Sequence, residues 1–176
     1  MRRLQPLTPD EAPAGSSEIL TDIASRHGGL GAMVATMAHS PAVLRGYLDL
    51  SAAIKRVKIP RALSEKLSLA VQEWIGCDLC LEAHSAAGRK VGLTDTDIEL
   101  ARQGTSVDAR EAVLLDFAVR VLAEPSSIGD EDLTVLRDNG WSDRVITEVV
   151  GLVSLNLLTG AFNLVAGLHP EEAKPA

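Results

Sequence analysis

Apolar residues recur three and four positions apart along most of this 176-residue chain, which is the spacing of helix faces that pack on a core. The pattern predicts helices at residues 16–26, 30–38, 41–57, 60–75, 77–91, 94–102, 108–123, 131–138 and 142–168. No alternating apolar and polar run is long enough to predict a strand. The chain is therefore predicted to have an all-α fold.

Residues typical of helix ends separate the predicted segments. Pro41 falls at a first-turn position, where its missing N–H costs nothing. Thr94 and Asp97 have the spacing of a capping box, and Asp108 is a typical N-cap residue. Pro125 ends the helix that Asp108 begins, since the residue before a proline avoids the helical conformation.

The length of the chain suits one domain with a sizeable core. Residues 1–15 contain proline, threonine and glycine and no apolar run, so they predict a mobile arm and not a signal peptide. Residues 16–170 are predicted to form the single helical domain, followed by a C-terminal tail at residues 171–176.

Composition and charge narrow the class of protein. The net charge of −7 gives no basic footprint, so a nucleic-acid partner is not expected. Only two cysteines and no export signal favour a cytoplasmic, reducing compartment. In that compartment, a cysteine pair is expected to cycle between redox states.

The last predicted helix has no charged residue between Val149 and Leu168, which is long enough to span a bilayer. Polar residues interrupt this stretch at Ser154, Asn156, Thr159 and Asn163. A helix that is apolar all round is also typical of a large core or a subunit interface. We therefore expect a homo-oligomer that buries this helix, and no membrane partner.

Cys77, Cys80 and His84 have the spacing of a chemical site, because residues i, i+3 and i+7 share one helix face. Gly76 predicts a break just before them, which would place both cysteines in the first turn. There the unpaired N–H groups and the helix dipole favour a thiolate. Two cysteines at this spacing can also close a disulfide, and His84, one turn after Cys80, can transfer the proton.

Two other interpretations of the cysteines remain open. Cys-x-x-Cys can be half of a zinc site, but structural zinc usually takes four ligands, and His27, His39 and His169 are isolated. Two buried cysteines can also serve only as small apolar residues. The redox pair is favoured because the only two cysteines share a face with a histidine, and it requires no metal.

Glu65, Cys77, Cys80 and His84 match the signature E-x11-C-x2-C-x3-H, and in these residues the chain resembles the AhpD-like alkylhydroperoxidases of the carboxymuconolactone decarboxylase family. The flanking segments IPRALSEKL and AAGRKVGLTDTDIELAR are similar to the same family. The ending NGWSDRVITEVVGLVSLNLLTGAFNLVAGL resembles its peroxidase-related branch. The resemblance covers roughly residues 40–168.

The resemblance implies a helical homo-oligomer whose dithiol reduces a hydroperoxide and is reduced again by an external dithiol or dithiol protein. By position, Cys80 is then the peroxidatic thiol, and Cys77 is the resolving thiol that meets the reductant. Glu65 and His84 match the proton-relay residues, and no cofactor is implied. Leu79 departs from the pattern, because well-characterised members have a second histidine between the cysteines.

Periodicity alone predicts a different environment for Glu65. It lies almost opposite the apolar stripe of its helix, which is formed by Leu63, Leu67, Ala70, Val71 and Trp74. A solvated glutamate in the first turn after Pro60, stabilised by the helix dipole, is what the pattern favours. Only the family resemblance turns Glu65 towards the dithiol.

The favoured function is a dithiol peroxidase or disulfide reductase, and two alternatives remain. Lactone decarboxylases and isomerases have the same fold as the family that the chain resembles, although they generally lack the paired cysteines. A non-catalytic redox sensor, whose disulfide changes a helical interface, would use the same two residues. The sequence does not predict the hydroperoxide, the physiological reductant or the number of subunits.

Overall fold

The structure is a computed structural model that describes residues 2–170. Within these residues the chain forms nine α-helices, a short 3₁₀ turn at Pro125–Ser127 and no strand, so the predicted all-α fold is confirmed. The helices are α1 (Ala14–His27), α2 (Ala32–Met37), α3 (Pro41–Ile54), α4 (Arg61–Ile75), α5 (Asp78–Lys90), α6 (Asp95–Arg102), α7 (Ala109–Ala123), α8 (Asp130–Asp138) and α9 (Asp143–Ala166).

Helix α4 lies at the centre of the domain and packs against α5, α6, α7 and α9. Every residue from 63 to 72 is buried, including the polar ones. Apolar side chains from α4, α7, α8 and α9 form the main core, with Leu67, Leu115 and Val149 fully buried in it. A second apolar cluster lies between α1, α2 and α3. The central position of α4 determines the environment of the residues that it carries.

Local side-chain chemistry determines several helix ends, including those predicted at Pro41 and at Thr94 with Asp97. Ser40 Oγ accepts a hydrogen bond from Val43 N–H at the start of α3, and Pro41 lies in the first turn. Thr94 and Asp97 form the capping box of α6: each side chain accepts a hydrogen bond from the other residue's N–H. These ends need no tertiary contact.

The N-terminal segment lies against the helical domain. Arg3 N–H and Leu4 N–H donate to the Ala166 carbonyl at 2.9 and 3.2 Å, and Leu7 N–H donates to the Ala35 carbonyl at 3.0 Å. The sequence predicted a mobile arm here; in the structure these bonds tie it to α2 and to the end of α9. The predicted tail at residues 171–176 lies outside the described residues.

Helix α9 is the one helix in the described part of the chain that is long and apolar enough to span a membrane. One side packs on the domain with Ile146, Val149, Leu152, Val153, Asn156, Gly160, Asn163 and Ala166. The other side exposes Val150, Leu157, Leu164 and Val165. The single chain therefore buries only one side of this helix.

Candidate active site

Gly76 and Cys77 join α4 to α5. Gly76 has a left-handed conformation, with φ of 77°, and ends α4. Cys77 is the N-cap of α5, and its Sγ accepts a hydrogen bond from the backbone N–H of Cys80 at 3.4 Å. The sequence predicted both cysteines in the first turn. In the structure Cys77 lies one position before the helix, and only Cys80 lies in that turn.

Cys77 and Cys80 form a disulfide, with their Cα atoms 5.3 Å apart. Both residues are buried, with exposed fractions of 1% for Cys77 and 5% for Cys80. The resemblance implied that Cys77 meets the reductant, but in the structure Cys77 is the more deeply buried of the two cysteines. Cys80 is the cysteine that lines a cavity.

Glu65 and His84 form the second part of the site. Glu65 Oε2 lies 2.7 Å from His84 Nδ1, and Glu65 Oε1 pairs with Arg61 Nη2 at 2.5 Å. The Glu65 side chain is only 2% exposed, whereas His84 is half-buried and lines the same cavity as Cys80. The carboxylate therefore holds the imidazole through Nδ1 and leaves Nε2 for proton exchange in the cavity.

The solvated position that periodicity predicted for Glu65 is wrong. Because α4 is surrounded by other helices, the side opposite its apolar stripe faces α5 and not solvent. The buried carboxylate is paired with Arg61 and His84, as a buried charge requires. Glu65 also lies in the second turn, because α4 begins at Arg61, with Pro60 as its N-cap.

A cavity of about 430 Å³ lies next to Cys80, between α2, α3, α4, α5 and α9. Its polar lining includes Cys80, His84, Glu65 and two cationic side chains, Lys55 and Arg61. The larger part of the wall is apolar and is formed by Met33, Tyr47, Ile54, Leu79, Ala83, Leu152 and Leu155. Leu79, which replaces the histidine of the family pattern, is thus part of an apolar wall.

Tyr47 is the aromatic residue of this wall. Burial raises the pKa of Tyr47 above its ordinary value, although a hydrogen bond with Ser51 opposes part of that rise. The phenol therefore stays protonated at neutral pH and can donate a hydrogen bond to a molecule in the cavity.

Sequence reasoning missed two polar residues of the site, Asn163 and Arg61. Asn163 is 4% exposed, and its Nδ2 donates a hydrogen bond to Cys80 Sγ at 3.3 Å. Its position in an otherwise apolar helix could have indicated a functional role, because a polar side chain is rarely buried without a partner. The signal for Arg61 was its position one turn before Glu65.

Two buried amide side chains, Gln72 of α4 and Asn156 of α9, hold these helices together. Gln72 Nε2 donates to the Asn156 side-chain and main-chain oxygens, both at 3.0 Å, and Asn156 Nδ2 donates to Ser68 Oγ at 3.1 Å. These bonds set the register that brings Asn163, two turns later, beside Cys80. Within residues 2–170, no group of three or more His, Cys, Asp and Glu side chains is arranged to hold a metal ion.

The chain is similar to one protein family and to several solved structures. Residues 41–124 match the model of the carboxymuconolactone decarboxylase family. None of the curated proteins that were compared with the chain matches it. Among solved structures, the AhpD-core peroxidase-related protein of Ralstonia eutropha JMP134 superposes with a TM-score of 0.81 and 18% identity, over 96% of this chain and 92% of that one.

Two further structures superpose over nearly the whole chain. An uncharacterised peroxidase-related protein from Silicibacter sp. TM1040 has a TM-score of 0.78 and 20% identity, over 96% of this chain and 93% of that one. The debrominase Bmp8 has a TM-score of 0.75 and 19% identity, over 97% and 93% respectively. At these identities the superpositions establish the fold alone.

The protein therefore has an all-α, AhpD-like fold with a buried cysteine pair beside a cavity. Residues 41–124, which include Glu65, both cysteines and His84, match the model of the carboxymuconolactone decarboxylase family, which confirms the resemblance seen in the sequence.

Proposed function

We propose that the protein is a dithiol oxidoreductase that reduces organic hydroperoxides and takes its electrons from an external dithiol. The placement of Cys80 carries this proposal. Cys80 belongs to a pair that forms a disulfide, and it lines a cavity together with His84, whose Nδ1 is held by Glu65. A redox thiol, a proton acceptor and space for a substrate are therefore adjacent.

The proposed reaction starts from the reduced dithiol. His84 takes the Cys80 proton on Nε2, and the Glu65 carboxylate stabilises the imidazolium that results. The Cys80 thiolate attacks the terminal oxygen of the hydroperoxide, and the O–O bond breaks. The alkoxide takes the proton back from His84 and leaves as an alcohol, so that Cys80 becomes a sulfenic acid.

Cys77 then closes the cycle. Its sulfur attacks the Cys80 sulfur, the S–O bond breaks, and the hydroxyl leaves as water with the Cys77 proton. An external dithiol attacks the disulfide and becomes oxidised while both thiols are restored. Because Cys77 is closed to solvent and Cys80 lines the cavity, we place this attack at Cys80. The resemblance had suggested that Cys77 meets the reductant.

The cavity favours an organic hydroperoxide over hydrogen peroxide. Its volume of about 430 Å³ falls within the range of small-molecule sites, roughly 300–1,000 Å³. Hydrogen peroxide would fill little of this space and has no apolar part for Leu79 or Leu155 to contact. A homo-oligomer in the cytoplasm, without nucleic-acid or membrane partners, completes the proposal.

Turnover of cumene hydroperoxide with a panel of small dithiol reductants tests the proposal. We expect wild-type turnover, none in Cys80→Ser, and a single oxidation event in Cys77→Ser. Ser85→Ala, a substitution of a residue outside the cavity lining on the same helix, is the matched control and should retain activity. Wild-type consumption no faster than that of Cys80→Ser, with every reductant tried, would rule the proposal out.

Reductive dehalogenation is a second candidate function. Bmp8 is a debrominase of the same fold, and a crystal structure of one of its cysteine-to-alanine variants contains 2,3,4-tribromopyrrole. The apolar wall beside Cys80, with Leu79 in place of a histidine, favours such a ligand here. In this reaction the Cys80 thiolate takes the bromine, the carbon takes a proton from His84, and Cys77 displaces bromide as the disulfide forms. Bromide release from a brominated pyrrole in the presence of a dithiol tests it.

Lactone decarboxylation or isomerisation, and non-catalytic redox sensing, predict different results in the same experiments. A decarboxylase or isomerase would keep its activity when both Cys77 and Cys80 are replaced by serine. A sensor would show no hydroperoxide turnover, but its state of assembly would change when the disulfide is reduced.

A further inference from the structure

Asn163 is the polar side chain of α9 that contacts the cysteine facing the cavity. It is buried, it lines the cavity, and its Nδ2 donates a hydrogen bond to Cys80 Sγ at 3.3 Å. Its Oδ1 is also buried and accepts no hydrogen bond from any residue in the described chain. An amide of this kind is costly in an apolar core, so a role in the chemistry of the sulfur would explain its position.

We propose that Asn163 is a positioning residue that stabilises the reduced form of Cys80. Its amide N–H stabilises the Cys80 thiolate, which makes the thiol more reactive near neutral pH and the disulfide easier to reduce. The catalytic part of this inference rests on the proposed function, in which Cys80 is the attacking thiol.

The strength of the hydrogen bond depends on the state of the sulfur. A bond to an ionised acceptor is about twice as strong as one to a neutral acceptor, and burial strengthens it further. The Asn163 N–H therefore contributes more to the Cys80 thiolate than to a disulfide sulfur. A protonated Cys80 could donate its S–H to Oδ1 after the amide turns over, but a thiol is a weak donor. Stabilising the reduced form of a dithiol raises its reduction potential.

The two cysteines receive hydrogen bonds from different donors. Cys77 Sγ accepts from the Cys80 backbone N–H, which remains when the Asn163 side chain is replaced. Cys80 Sγ accepts from Asn163, which lies on another helix, so a substitution there removes the donor of Cys80 alone. The titratable and charged groups around the cavity or in the pair are Cys77, His84, Glu65, Arg61, Tyr47 and Lys55. Helix α9 contributes only neutral groups to the cavity.

The first test measures the ionisation of Cys80 in a Cys77→Ser background, from ultraviolet thiolate absorbance and from the pH dependence of alkylation. We expect Asn163→Leu to raise the midpoint by about one pH unit, which means about tenfold slower alkylation below the midpoint. Asn163→Ala serves as a second donor-free variant in case leucine is not accommodated. Thr159→Val, which removes a part-buried polar group of α9 that donates only to carbonyls of the same helix, should leave the midpoint unchanged.

The second test measures the disulfide of the two-cysteine protein at equilibrium in thiol–disulfide buffers. At a pH above the Cys80 midpoints of both proteins, where the reduced pair carries the thiolate, we expect Asn163→Leu to lower the reduced-to-oxidised ratio about tenfold at a given buffer poise, that is, to make the disulfide harder to reduce. Unchanged ionisation and an unchanged ratio in folded Asn163→Leu and Asn163→Ala would overturn the proposal. Neither test uses a substrate. A shifted midpoint without hydroperoxide turnover would therefore reject the proposed function and keep the role of Asn163.

Discussion

The carboxylate of Glu65 lies 2.7 Å from Nδ1 of His84, across the interface between α4 and α5. The two residues are 19 positions apart in the chain, so no local rule brings them together. Arg61 binds the other carboxylate oxygen, which produces a row of three charged or polar groups that leads to the cavity. Each of these groups can be tested for its contribution to proton transfer.

Glu65→Gln should lower hydroperoxide turnover about tenfold to a hundredfold, as expected when part of a general acid–base system is removed. The amide keeps the shape of the side chain and can still accept a hydrogen bond from Nδ1, but it lacks the charge that stabilises the His84 imidazolium. Glu73→Gln is the matched control, since Glu73 is an exposed residue of α4 whose side chain pairs with Arg102 of α6. Equal turnover in the two variants would contradict a relay through Glu65.

The two cysteines should differ in sulfenic acid formation. In Cys77→Ser, peroxide should leave a sulfenic acid on Cys80 that a dimedone-type probe traps, because Cys80 lines the cavity. In Cys80→Ser, the buried Cys77 should remain largely unlabelled. His84→Ala should slow labelling of Cys80 most at low pH, where the thiolate is scarce without its base. Preferential labelling of Cys77, read by mass spectrometry, would reverse the two roles.

Gly160 should not tolerate alanine, because α9 approaches α4 closely at this position. A Cβ atom there would lie 2.6 Å from Gln72 Oε1 and 3.1 Å from Ile75 Cγ2. We expect Gly160→Ala to lower the free energy of unfolding by about 1–3 kcal/mol, the usual cost of overpacking. Gly46→Ala, within α3 and with open space around the added atom, should instead raise it by about 0.5–1 kcal/mol. Urea unfolding measures both changes.

The ion pair between α7 and α8 should make stability depend on pH. The hydrogen bond from Arg120, aided by the Gly129 N–H, holds the pKa of Asp132 below its ordinary value. Its stabilising contribution is therefore complete above the unfolded pKa of about 3.9 and is lost as pH falls through the lower folded pKa. Asp132→Asn should be less stable than wild type at neutral pH. This difference in stability should disappear as the pH falls below the folded pKa of Asp132. A gap in urea midpoint that widens on acidification would contradict this sign.

The exposed side of α9 should form a subunit interface. Val150, Leu157 and Leu164 recur every seven residues, which gives an apolar stripe along one side of the helix. Leu157→Glu should lower the molecular mass measured by light scattering, because it places a charge in that stripe. Val135→Glu, at a similarly exposed apolar residue of α8, should not. A wild-type protein that is monomeric at all concentrations tested would disprove the interface.

Local chemistry made much of the fold predictable. Ser40, Thr94 and Asp108 begin helices because their side chains accept hydrogen bonds from nearby N–H groups, whatever lies around them. Gly76 ends α4 for an equally local reason. The three-residue spacing of Cys77 and Cys80 likewise determined that the two sulfurs could meet.

The sequence by itself therefore determined the helices, most of their ends and the cysteine pair. Only the tertiary structure decided that Glu65 is buried, that Cys80 and not Cys77 lines the cavity, and that Asn163 reaches Cys80. The physical reason is that helical periodicity tells which residues share a face but not what that face contacts. Because α4 is enclosed on all sides, its polar face contacts the dithiol helix and not solvent.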